Sequence, residues 1–155
     1  MIPQLRHQGI LILPDLPSLE AFTQIWAKRL QPGDVLALNG NLGSGKTTLT
    51  QHLARALGIT EAVNSPTFVL MNEYSSGQLP LVHVDLYRLG EADADGLEEE
   101  LLEIISSKQA LVVVEWAEYG QFLDEFLTTR LTITPQDDDS RQIVIESARP
   151  ELADV

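Results

Sequence analysis

The stretch GNLGSGKTT, residues 40–48, most constrains what this chain can fold into. From Gly40 to Thr47 it fits G-x-x-x-x-G-K-[ST] in full. It lies between the short apolar run VLALN (35–39) and the helix-like run TTLTQHLARAL, closed by Gly58. A strand that enters a glycine-rich loop and leaves as a helix is the context in which this pattern cradles phosphate. Glycines let backbone N–H groups converge on phosphate oxygens, and the helix N-terminus adds a favourable dipole. The backbone and first turn of Asn41, Leu42, Gly43, Ser44, Gly45, Lys46, Thr47 and Thr48 are therefore the expected nucleotide-binding set. Lys46 is expected to reach the β- and γ-phosphates, and the Thr47 hydroxyl to ligate Mg²⁺. The plainer alternative is a structural glycine turn.

A P-loop needs a second acid for the magnesium shell, usually at the end of a neighbouring buried strand. Two apolar runs end in a carboxylate: LVHVD (81–85) in Asp85 and LVVVE (111–115) in Glu115. Glu115 has the expected setting, but Asp85 ends a comparable run, and apolar flanks alone do not decide between them. Either could also be an ordinary strand-end carboxylate.

The remaining patterns give the class. ILIL (10–13) reads as a first strand. SLEAFTQIWAKRL reads as an amphipathic helix capped by Ser18, with Leu19, Phe22, Trp26 and Leu30 on one face. TFVLMNEY (67–74) and LPLVHVDLY (79–87), joined by SSGQ, predict an antiparallel hairpin. The acidic segment 91–107 predicts a helix with Leu97, Leu101, Leu102 and Ile105 inward. ALVVVEW is a continuous apolar run, as expected of a strand covered on both faces. RLTIT and RQIVIES around PQDDDS predict a second hairpin. The expectation is one α/β P-loop NTPase-like domain over 1–155, a mixed central sheet flanked by helices, with 146–155 as a loose tail.

Composition limits the chemistry. The 155 residues contain no cysteine, so thiolate zinc sites, disulfides and cysteine nucleophiles are excluded. Ten basic against 23 acidic residues give a net charge of −13. Nucleic-acid affinity comes largely from neutralising phosphates, so stable direct RNA or DNA binding is disfavoured. The excess suits solubility, or a basic protein partner contacting EADADGLEEELLE (91–103). No stretch approaches the roughly 18 apolar residues of a membrane span, and no signal-peptide pattern is present, so a cytoplasmic location is expected. Neither a guanine-recognition Asn-Lys-x-Asp nor an arginine-rich kinase lid is found.

The order GNLGSGKTT, NSPTF (64–68), HVDLYRL (83–89) and VVVEW (112–116) resembles the TsaE family, small bacterial ATPases of tRNA threonylcarbamoyladenosine biosynthesis. The resemblance runs from about residue 14 to 146. It implies ATP and Mg²⁺ as cofactors, with Thr47 and Glu115 in the magnesium site. It implies a switch-like segment that brings Thr67 near the γ-phosphate, and Asp85 directed to that phosphate or its attacking water. The implied catalytic set is Lys46, Thr67 and Asp85. Arg141 matches a nucleotide-contacting arginine of the family, and Asn41 stands where most relatives carry an acidic residue. The resemblance also implies protein partners: the threonylcarbamoyl-transferring enzyme and its paralogue, of TsaD and TsaB type, which ATP cycling resets.

Several side chains keep two readings. Trp116 could pack at the strand end or lie against the nucleotide. His83 reads as a half-buried, hydrogen-bonded histidine rather than a catalyst. Tyr87 and Arg88 either cap the strand or touch ligand. Two other functions compete with a partner-stimulated ATPase: a small-molecule kinase, and a nucleotide-gated binding module with negligible hydrolysis.

Overall fold

The computed structural model of the protein describes residues 2–67, 69–89 and 96–155. Seven strands form one mixed sheet in the order β1-β7-β6-β2-β5-β4-β3. They are β1 (His7–Leu13), β2 (Val35–Asn39), β3 (Met71–Tyr74), β4 (Leu81–Asp85), β5 (Leu111–Glu115), β6 (Thr129–Pro135) and β7 (Arg141–Ser147). β2 runs parallel to both β5 and β6, and β4 runs parallel to β5. The two predicted hairpins, β3–β4 and β6–β7, are antiparallel, and β1 pairs antiparallel with β7.

Burial follows the sequence pattern. Every residue of β4 and β5 is buried, as is every residue of β2 but Asn39, because helices cover both faces of the central strands. β6 and β7 alternate between buried and half-buried positions, since helices cover only one of their faces. Leu36, Leu38, Leu111 and Val113 pack with Leu49 and Leu53 of α2 (Lys46–Ala56) and Trp26 of α1 (Leu16–Trp26). On the opposite face, Val82, Val84, Val112 and Val114 pack with Leu101 and Ile105 of α3 (Leu97–Ser107). Glu98, Glu99 and Glu100 lie exposed in the first turn of α3, where the helix dipole favours them. The part of that predicted helix at 91–95 lies outside the described residues. Among the described residues, no helix is long and apolar enough to cross a membrane.

Four expectations need correction. Asp15, not Ser18, caps α1: the Ser18 N–H donates to Asp15 Oδ1 at 2.9 Å, and the Asp15 N–H donates to Ser18 Oγ at 3.2 Å. Pro17 then falls in the first turn, where a missing N–H removes no intrahelical bond. Leu30 is buried, but beyond α1. The strand expected from residue 67 begins only at Met71, directly after Leu70 at φ 72°.

The fourth is the tail. After β7, the chain forms the one-turn helix α4 (Pro150–Ala153), which buries Leu152 and Ala153. The Trp26 indole N–H donates to the Leu152 carbonyl at 2.9 Å, and Arg149 forms an ion pair with buried Asp34. A short apolar segment with polar ends is held because the β1–β7 pairing leaves it beside α1.

Candidate functional site

β2 delivers the chain to the glycine-rich loop, and α2 carries it away. The loop is tight at its base. A Cβ on Gly40 would lie 2.4 Å from Ser44 Oγ and 2.9 Å from the Ile133 carbonyl, so only glycine fits. Gly45, in a left-handed conformation, precedes α2, and no side chain caps the helix. Its first-turn N–H groups therefore have no side-chain acceptor and are available to an anion.

Lys46 is 5% exposed. Its ammonium folds back over the loop, donating to the Gly40 carbonyl at 2.5 Å and to the Asn41 carbonyl at 3.3 Å. It also lies 3.9 Å from the ring centroid of Trp116. Burial pushes its pKa below the ordinary lysine value, while the fields of Glu115, Glu118 and Asp85 oppose that shift.

The two strand-end carboxylates are register neighbours on β4 and β5, yet they have different partners. Glu115, 3% exposed, accepts from the Thr47 hydroxyl, which lies 3.1 and 3.2 Å from its two oxygens. Its Oε2 is also 2.5 Å from His83 Nε2. Asp85 faces the segment after α2 instead. Its Oδ2 accepts from Ser65 Oγ at 3.0 Å and from Thr67 Oγ1 at 2.9 Å, and its Oδ1 accepts from the Tyr87 N–H at 2.9 Å. His83 is fully buried rather than half-buried, because β3 and β5 flank it and the α2 side of the sheet covers it.

These groups line one cleft of about 330 Å³, with Lys46, Thr47, Thr67, Asp85, Glu115 and Trp116 on its walls. Leu42 projects from the loop tip, 78% exposed. A second cavity of about 230 Å³ shares Ser44, Gly45 and Thr48 with the first. Arg141 borders it, donating from Nε to the Ser44 carbonyl at 3.2 Å. Its apolar wall comes from Leu13, Leu16, Leu19, Leu49, Ile133 and Ile143. Sequence reasoning missed this wall. Leu13 and Leu16 lie at a strand–helix corner with no local signature, and only folding brings them to the loop. Tyr119 was missed as well. It stacks on Trp116 at 5.9 Å between centroids, and Tyr87 lies 4.8 Å from Trp116 on another side.

The donor set suits a phosphorylated ligand with a hard cation. The uncapped start of α2 and Lys46 are donors of the kind that negative oxygens accept from. Thr47 and Glu115 together offer a hydroxyl and a carboxylate, and magnesium typically takes only one or two protein carboxylates, leaving the rest of its shell to phosphate and water. The adjoining apolar cavity suits a flat organic group attached to those phosphates.

The family model "Threonylcarbamoyl adenosine biosynthesis protein TsaE" matches residues 13–143. A tRNA threonylcarbamoyladenosine biosynthesis protein TsaE from Bacillus subtilis (strain 168) is 41% identical over 128 residues, 80% of this chain and 76% of the relative. One from Nostoc sp. (strain PCC 7120) is 37% identical over 146 residues, 94% of this chain and 90% of the relative. The crystal structure of Bacillus subtilis YdiB superposes with a TM-score of 0.71 at 32% identity, covering 94% of this chain and 88% of that one. The match spans the loop, both carboxylate-ending strands and the Arg141 strand together, and the chain belongs to the TsaE family.

Proposed function

We propose that this protein is a Mg²⁺-dependent ATPase of tRNA threonylcarbamoyladenosine biosynthesis, slow alone and stimulated by its partners. The observation that carries the reading is convergence: the uncapped start of α2, Lys46, Thr47 and Glu115 open into one cleft, which shares Ser44, Gly45 and Thr48 with an apolar cavity beside Arg141. ATP would place its phosphates in the first and its base in the second. Bound magnesium would supply charge neutralisation at the β- and γ-phosphate oxygens.

The chain's own residues would do the rest. The loop N–H groups and Lys46 orient the phosphates and stabilise the charge that develops in transfer to water. Thr47 and Glu115 hold the cation side. Asp85, with Thr67 and Ser65 on its Oδ2, lines the γ-phosphate end of the cleft, where a carboxylate can orient the attacking water. In the present arrangement both Asp85 oxygens are already engaged, and Lys46 is folded onto its own loop. A bound phosphate would draw Lys46 off its loop, and the remaining lone pairs of Asp85 could accept from a water.

The partners in this reading are a threonylcarbamoyl-transferring enzyme and its paralogue, of TsaD and TsaB type, which ATP turnover resets in the cytoplasm. The test is phosphate release from ATP with and without the reconstituted transferase complex. Stimulation is expected. ATP binding without stimulation would remove the partner-resetting role, and phosphate appearing on an added small molecule would favour a kinase.

A further inference from the structure

His83 and Glu115 are joined by geometry that the phosphate cradle does not require. In the parallel β4–β5 pair, His83 stands beside Val113 and Asp85 beside Glu115, so His83 and Glu115 lie on one face, two residues apart along the strands. Both are buried, at 0% and 3% exposure, and His83 Nε2 is 2.5 Å from Glu115 Oε2. The other ring nitrogen, Nδ1, has no hydrogen-bond partner among the described residues. A buried N–H without an acceptor is expensive, whereas an unprotonated ring nitrogen leaves no donor stranded. The Nε2–H tautomer follows, donating to Glu115.

An imidazole here is not what packing alone would select. The surrounding layer is aliphatic, with Leu81, Leu111 and Val113 buried alongside, and an apolar ring of similar size would strand no polar nitrogen. The histidine does give the carboxylate a fixed donor. The terminal torsion of a glutamate is broad, so a carboxylate needs a second contact to hold one orientation. Thr47 lies nearly equidistant from both Glu115 oxygens and does not select one. His83 touches only Oε2.

We propose that His83 is a positioning residue of the cation corner: its Nε2–H pins Glu115 Oε2 and so aims the carboxylate at the cation that Thr47 also faces. Groups that orient a ligating carboxylate from behind commonly govern metal affinity. The proposal rests on the magnesium reading of Thr47 and Glu115.

The test uses a fluorescent ATP analogue with the full-length chain, titrated in EDTA and then with magnesium. In His83→Phe, nucleotide affinity in EDTA should be unchanged, while the magnesium concentration at half-effect rises about 10-fold or more. His83→Gln, whose amide can donate in the same direction, should move that midpoint back towards the parent chain. A purely structural histidine would leave the midpoint unmoved in both variants, and that result overturns the proposal. Should His83→Phe fail to fold, ¹⁵N NMR of the parent chain still decides. It should report the Nε2–H tautomer, with the Nε2–H signal displaced in Glu115→Gln. An Nδ1–H tautomer, or a signal indifferent to Glu115→Gln, overturns the proposal. A parent chain that binds no nucleotide, or binds it without any magnesium effect, overturns the underlying function as well, and so is distinguishable from failure of the histidine alone.

Discussion

The ammonium of Lys46 rests 3.9 Å from the ring centroid of Trp116, and both side chains line the cleft beside the glycine-rich loop. That contact and the bonds to the Gly40 and Asn41 carbonyls occupy the lysine wherever no phosphate competes for it. A phosphate arriving at the loop would draw the ammonium away and change the electrostatic surroundings of the indole. The chain has two tryptophans, and Trp26 is buried with its indole N–H on the Leu152 carbonyl. ATP should therefore change tryptophan emission through Trp116 alone. The change is expected to persist in Trp26→Phe and vanish in Trp116→Phe, read by fluorescence titration.

The same lysine should weigh against stability. Burial disfavours its charged form, so its folded pKa lies below its unfolded value. Between those two values the unfolded chain binds more protons, and stability rises with pH there. Below both values the lysine is charged in both states, and the full penalty of burying the ammonium is present. Lys46→Met should lose ATP binding yet unfold at a higher temperature than the parent at neutral pH. The gap should narrow as pH climbs through the folded pKa. A lower melting temperature at pH 7 would contradict this.

Asp85 faces three donors with two oxygens, from Ser65, Thr67 and the Tyr87 N–H. In Asp85→Asn one oxygen becomes an NH₂ that can no longer accept. Phosphate release with the partner complex is expected to fall about 100-fold or more, the scale of losing a positioned acid–base group. ATP affinity should hold, because the loop and Lys46 are untouched. Amide exchange across residues 64–67 should quicken, since the tether to β4 is weakened. Loss of ATP affinity would instead make Asp85 part of the binding surface.

Much of this was legible in the chain because it is local. Continuous apolar runs mark β2, β4 and β5, alternation marks β6 and β7, and the glycine loop carries its own spacing. What was not legible depends on pairing between distant segments. Apolar flanks alone leave LVHVD and LVVVE equivalent, and the sequence separated them only through the family resemblance; the physical difference is the parallel register, which places Glu115 beside Leu38 of β2, under the start of α2. Asp85, one strand further out, meets the 65–67 segment. The apolar cavity draws on residues 13–19 and 133–143, which no single window contains. Asp15 displaced Ser18 as the α1 cap because two reciprocal bonds satisfy more of the helix start than one.

The C-terminal segment was misread for the same reason, and it gives the sharpest stability prediction. Leu152 is fully buried, while Arg29 donates to the Glu151 carbonyl at 2.8 Å and the Asp154 carbonyl at 2.6 Å. On the other side α4 lies against β1, where a Cβ on Gly9 would come within 2.1 Å of the Ala153 carbonyl. Leu152→Ala should cost about 2–5 kcal/mol by lost packing. Gly9→Ala should destabilise by forcing the helix off the strand. Both effects act through the seating of α4, so they should not add: with residues 150–155 removed, Gly9→Ala is expected to cost little further. Urea unfolding of the single and combined variants measures this. Full additivity would mean that α4 and β1 do not support each other.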